Sequence, residues 1–131
     1  MATLTKVGLP SLASVLPQQN TQLAGLLTGE AVAAGDLCYI KSDGKVWRSN
    51  GTSVAAQAVC VGIAAEACAV GEACTILWNV NVRYGAGLTP GARLYVSATA
   101  GAIDDAATTG GTAPIGYVVD ATRVHINQSA Y

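Results

Sequence analysis

Side-chain catalysis needs a nucleophile beside a base, a pair of carboxylates, or metal ligands at workable spacing. The chain offers few such groups. Its one histidine, His125, sits between Val124 and Ile126, and strand alternation would turn it away from both, as a solvent-facing residue and not a general base. Asp104 and Asp105 are neighbours in sequence. In a strand their carboxylates would face opposite ways, and the polar stretch around them predicts a loop with solvated turn residues. The spacing of Cys38, Cys60, Cys68 and Cys74 matches neither a CxxC zinc arrangement nor a redox dithiol. Free, buried thiols made in a reducing cytoplasm are expected, with a cross-strand disulfide as the alternative. No nucleophile elbow, phosphate loop or dinucleotide fingerprint occurs. The expectation is a protein that is not an enzyme and holds no metal or cofactor.

Binding chemistry is equally sparse. Lys45, Trp47 and Arg48, with Arg83 and Tyr84, are the places where basic and aromatic residues meet, and the aromatic content is 5% with no Phe. That is poor material for stacking nucleic-acid bases. Trp47 and Trp78 read as core or interface anchors. Seven Lys and Arg against eight Asp and Glu leave a net charge of −1, which gives no long-range attraction to nucleic acid or to an anionic membrane. Charged residues make up 11% of the chain, against about 25% in a typical soluble domain. Such a surface suits packing against copies of itself or a larger assembly, and equally a neutral soluble domain. The first residues have no basic-then-apolar pattern, and Glu66, Gly71 and Glu72 interrupt the later apolar stretches. Neither a signal peptide nor a membrane span is expected.

The elements that must carry these residues are strands. A chain of 131 residues suits one domain. In residues 1–28, Leu4, Val7, Leu9, Leu12, Val15 and Leu16 fall irregularly around Pro10 and before Pro17. No strand or helix period fits them all, although Ser11–Leu16 would allow one helical turn. An extended N-terminal arm that lies over a partner is the favoured reading, against a loosely docked terminus. From Gly29 to 131, short β-prone runs alternate with Gly, Asp, Asn and Thr turns. Strands are predicted around Leu37–Ile40, Lys45–Arg48, Ala58–Ala64, Ala73–Val82, Arg93–Ser97, Ile115–Asp120 and Arg123–Asn127. Ala64–Val70 reads as a helical turn or a connection.

The runs repeat. Gly29, Val32 and Gly35 share their spacing with Gly85, Leu88 and Gly91, at an offset of 56. Cys38-Tyr39-Ile40 then matches Leu94-Tyr95-Val96, and Gly44-Lys45-Val46 matches Gly101-Ala102-Ile103 after one inserted residue. Val61-Gly62-Ile63 and Ile115-Gly116-Tyr117 follow, each a strand broken by a glycine, as close backbone approach or a bulge requires. Chance similarity among Gly- and Ala-rich segments is the alternative, but agreement in order favours duplication. Two units, about 29–80 and 85–127, would together build an all-β sandwich or barrel-like domain.

The runs at residues 34–40 (AGDLCYI), 59–64 (VCVGIA), 70–76 (VGEACTI), 88–96 (LTPGARLYV) and 113–119 (APIGYVV) resemble the capsid decoration, or cement, proteins of tailed bacteriophages. The likeness covers residues 25 to 127 and rests on structural glycines and strand residues. It implies a β-rich virion protein on the capsid exterior, made in the host cytoplasm, that binds the major capsid protein and stiffens the head. It further implies self-association as a homotrimer at three-fold or quasi-three-fold positions, with an arm reaching across neighbouring capsomers. Leu4, Val7, Leu9, Leu12, Val15 and Leu16 are then the candidate capsid-contact residues. The rival expectation is a virion-surface adhesion module that binds host glycans through Tyr84, Tyr117 or Trp47.

Overall fold

Glycine placement divides the chain into strands. In a computed structural model, which describes residues 3–5 and 22–129, Gly35 and Gly91 take φ of 86° and 81°, and each ends a turn one residue or so before a strand begins. A side chain is strained at that φ, which explains why the same spacing carries glycine twice. The strands are β1 (Gln22–Leu27), β2 (Leu37–Ile40), β3 (Val46–Arg48), β4 (Gly62–Ala64), β5 (Ala73–Leu77), β6 (Val80–Arg83), β7 (Arg93–Val96), β8 (Ile103–Asp104), β9 (Gly116–Val118) and β10 (Arg123–Ile126). Among the described residues there is no α-helix, and Ala56–Ala58 form one 3-10 turn.

The ten strands form two five-stranded antiparallel sheets that pack as a small sandwich. Their orders are β1-β5-β4-β2-β3 and β6-β10-β9-β7-β8. Adding five to each strand number of the first gives the second, so the two sheets follow one path twice. Register agrees as well. Ile40 faces Val46 and Tyr39 faces Trp47 in the first hairpin, while Val96 faces Ile103 and Tyr95 faces Asp104 in the second. The repeated spacing in the sequence corresponds to a repeated sheet topology and register.

Three boundaries differ from the sequence expectation. Residues 22–27 belong to the domain and not to the arm, because β1 pairs with β5 and places Leu23 and Leu26 against buried residues. A bulge between Leu23 and Leu26, with Gly25 at φ 87°, puts Ala24 and Gly25 opposite Thr75 alone and hides the alternation. The run Ala73–Val82 is two strands, separated at Trp78-Asn79, where Asn79 has φ 56°; asparagine tolerates that region better than most side chains. The second unit accordingly starts with β6, before Gly85. Asp104 lies in β8, a two-residue strand, and not in a loop. Residues 64–70 contain no helical turn but a connection in which Val32 and Cys68 exchange backbone hydrogen bonds.

One core cluster joins the two sheets, with Leu37, Cys60 and Ile63 against Leu94, Val96, Ile115, Val118, Val124 and Ile126. Each fully buried aliphatic side chain there contributes about 1.5–3 kcal/mol relative to exposure. A second cluster lies within the first unit alone, with Val32, Cys38, Val46, Ala64, Cys68, Cys74 and Ile76. Its end is sealed by a parallel bridge from Thr28, just past β1, to Val46 of β3. The two edges of the first sheet thus meet.

Candidate functional site

Because the sheets are equivalent, their faces can be compared rung by rung. Across the first sheet, one row of facing residues runs Gln22, Leu77, Ile63, Leu37. Leu37 and Ile63 are buried in the shared core, and Leu77 packs against it. The equivalent row of the second sheet runs Asn81, His125, Tyr117, Arg93. Here Tyr117 is 46% exposed, and the row forms an outer face that no part of the described chain covers.

Specific contacts hold that row in place. The His125 ring stacks on Tyr117, with centroids 5.1 Å apart and planes inclined by 19°. Its Nδ1 lies 2.7 Å from Asn81 Oδ1 and its Nε2 3.2 Å from Asn79 Oδ1. Both ring nitrogens are engaged by amide oxygens, and among the described residues neither has a carboxylate or hydroxyl as hydrogen-bond partner. His125 is a strand histidine in a structural hydrogen-bond pair. On the other side of Tyr117, an open groove of about 480 Å³ is bordered by Arg93, Pro114, Gly116, Asn127 and Gln128. Arg83 and Arg123 face each other on β6 and β10. Arg123 forms an ion pair with Asp120 at 2.6 Å, and its guanidinium holds the Asp120 carboxyl well below the usual carboxylate range. The face offers one aromatic platform, planar donors and amides. Such a set has the chemistry to stack on and hydrogen-bond to a polar ligand or surface.

The cysteine thiols lie in the interior. All four cysteines are free and buried. Burial pushes Cys60 up to about 12; burial, and then the neighbouring Cys68 thiol, push Cys74 up to about 12. Burial also raises Cys38. A thiol held protonated is neither a nucleophile nor a metal ligand. Among the described residues no cluster of three or more His, Cys, Asp or Glu side chains is placed to hold a metal ion.

Of the candidate arm residues, Leu4 is 92% exposed, and Val7, Leu9, Leu12, Val15 and Leu16 lie outside the described residues. Trp47 is anchored to its own chain: it packs over Gly29, donates from Nε1 to Asp43, and carries the Lys41 ammonium 4.3 Å from its ring centre. Asn79, Asn81 and Arg93 carried no signal in the sequence. Only the cross-strand register reveals their alignment with His125 and Tyr117. No protein-family model and no curated protein matches the chain.

Proposed function

We propose that the protein is a structural virion protein that binds the outer surface of an assembled phage capsid and stabilises it. In this reading it contacts the major capsid protein and copies of itself, as a homotrimer, and has neither a nucleic-acid nor a membrane partner. It works by binding energy alone, many weak repeated contacts adding to high avidity. The observation that carries the reading is that the two units share a scaffold and no site: what recurs is Gly35 with Gly91, Gly62 with Gly116, and the register around them. These are also the positions on which the likeness to capsid decoration proteins rests. The exposed Leu4 supports it further, since a large apolar residue left uncovered suits a segment that a partner covers. Co-sedimentation with undecorated heads tests the proposal: the full chain pellets with the heads at stoichiometric load, and protein left in the supernatant overturns it.

A second reading has its own observation in favour. Tyr117, beside Arg93, Asn127 and Gln128, presents an aromatic ring among amide and guanidinium donors, which is the chemistry of sugar recognition. A virion-surface glycan-binding module would bind on a glycan array and lose binding on Tyr117→Ala. Binding unaffected by that substitution removes this reading.

A further inference from the structure

The duplication supplies an internal template for the interior of each unit, and the two interiors differ. In the first, Val32, Cys38, Val46, Ala64 and Ile76 are buried together. Leu88 stands 56 residues after Val32, and Leu94, Ile103, Val118 and Val124 are the equivalents of the other four by register; all five line a cavity of about 400 Å³. The positions that close on themselves in the first unit border an open depression in the second, while Leu94, Val118 and Val124 also pack into the core shared by the two sheets.

The reason lies in three local differences. The β4–β5 connection, residues 65–72, carries Cys68 back over the core, where it exchanges two backbone hydrogen bonds with Val32. The β9–β10 connection, residues 119–122, is shorter, and gives Leu88 one bond, to the Ala121 carbonyl. Thr28 bridges to Val46 through the backbone and joins β1 to β3, whereas β6 and β8 share no backbone bridge, and the side chain of Tyr84 meets the Ile103 backbone there. Finally, Tyr84, 40% exposed, lines the cavity wall. Asp104 and Asp105 border the opening, and no basic side chain lines it.

The opening therefore suits an apolar side chain next to a cation, on an extended segment that can lie between two strand edges. The sequence around Leu4 offers such a pairing. Leu4 is 92% exposed, and Lys6, between Leu4 and Val7, is the sole charged residue before Glu30. We infer that the cavity bordered by Tyr84 and β8 is the docking site for the N-terminal segment around Leu4 of a second copy of this chain, with Leu4 entering against Leu88 and Ile103 and the neighbouring Lys6 supplying a cation for Asp104 and Asp105. Exchange of this segment between copies is a mechanism for the self-association in the proposed function. It rests on that part of the reading and requires no capsid.

The test uses the full chain in solution. A nitroxide is attached at Ala2→Cys, the four native thiols being buried, and the labelled protein is mixed with isotope-labelled protein that has no nitroxide. Broadening of the Leu88, Ile103 and Val118 methyl signals between chains is expected. Sedimentation equilibrium adds a second measurement: Leu4→Asp weakens self-association roughly tenfold or more. Lys6→Glu weakens it too, and combination with Asp104→Lys and Asp105→Lys restores it. A chain that stays monomeric, broadening confined to the molecule that carries the label, broadening at the first unit instead, or unchanged association of the Leu4→Asp variant each overturns the inference. Failure to bind heads, with this exchange intact, counts against the capsid reading alone.

Discussion

Gly62 and Gly116 stand at the same point of the two sheets, each against a carbonyl of the next strand. A Cβ on Gly62 would lie 2.5 Å from the Leu77 oxygen, and one on Gly116 would clash with the oxygen of His125. Leu77 and His125 are themselves equivalent, facing Ile63 and Tyr117. The backbone cannot yield there without breaking the ladder. Gly62→Ala and Gly116→Ala should therefore each destabilise the protein by about 2 kcal/mol or more, as overpacking does. Urea unfolding checks this, and an unchanged midpoint for either variant contradicts the close approach.

Thr28 seals the first unit through its hydroxyl as well as its backbone. It is fully buried, its Oγ1 donates to the Ala69 carbonyl at 2.6 Å, and it accepts from the Gly71 amide at 3.1 Å. Thr28→Val keeps the shape and leaves that carbonyl without its donor, at a cost of about 1–3 kcal/mol. Thr28→Ser keeps the hydroxyl and should lose less. Thermal unfolding of the two variants decides, and equal losses would mean the methyl group matters more than the bond.

Thiol accessibility gives a direct check on the interior. A thiol reagent at neutral pH should modify the native protein slowly and the urea-unfolded chain fully, because the four cysteines are buried and reaction needs an exposed thiolate. Fast modification of native protein would place at least one cysteine at the surface.

The same burial sets an alkaline limit. Cys60 and Cys74 are raised from 9.0 to about 12, so the unfolded chain ionises its thiols at a pH where the folded protein keeps them protonated. Their contribution is whole below pH 9 and is lost as pH rises from there toward about 12. The urea midpoint should fall between pH 8 and pH 10, and fall less steeply in Cys60→Ala. Equal slopes in the two proteins would contradict the assignment.

How far these features can be read in sequence depends on whether one residue or a register carries them. Gly35 and Gly91 need a left-handed φ at one place each, so their spacing announced the repeat. Leu23 and Leu26 are core-facing residues of one strand, but the bulge at Gly25 sets them three apart and removes the alternation. Asn79 makes the turn between the units without glycine or proline, so β5 and β6 looked continuous. The row Asn81, His125, Tyr117, Arg93 draws on four strands, of which only β9 and β10 follow one another in sequence. Sequence alternation gave His125 its outward direction and could not give its neighbours. The open interior of the second unit was hidden for the same reason, since it appears only when equivalent positions are compared in space.

The capsid reading is tested most directly by electron microscopy of undecorated phage heads mixed with the full-length protein. The account predicts ordered added density on the outer surface at three-fold or quasi-three-fold positions, shaped to hold several copies of a two-sheet domain. Heads that remain bare at saturating protein, or density scattered without symmetry, would contradict it.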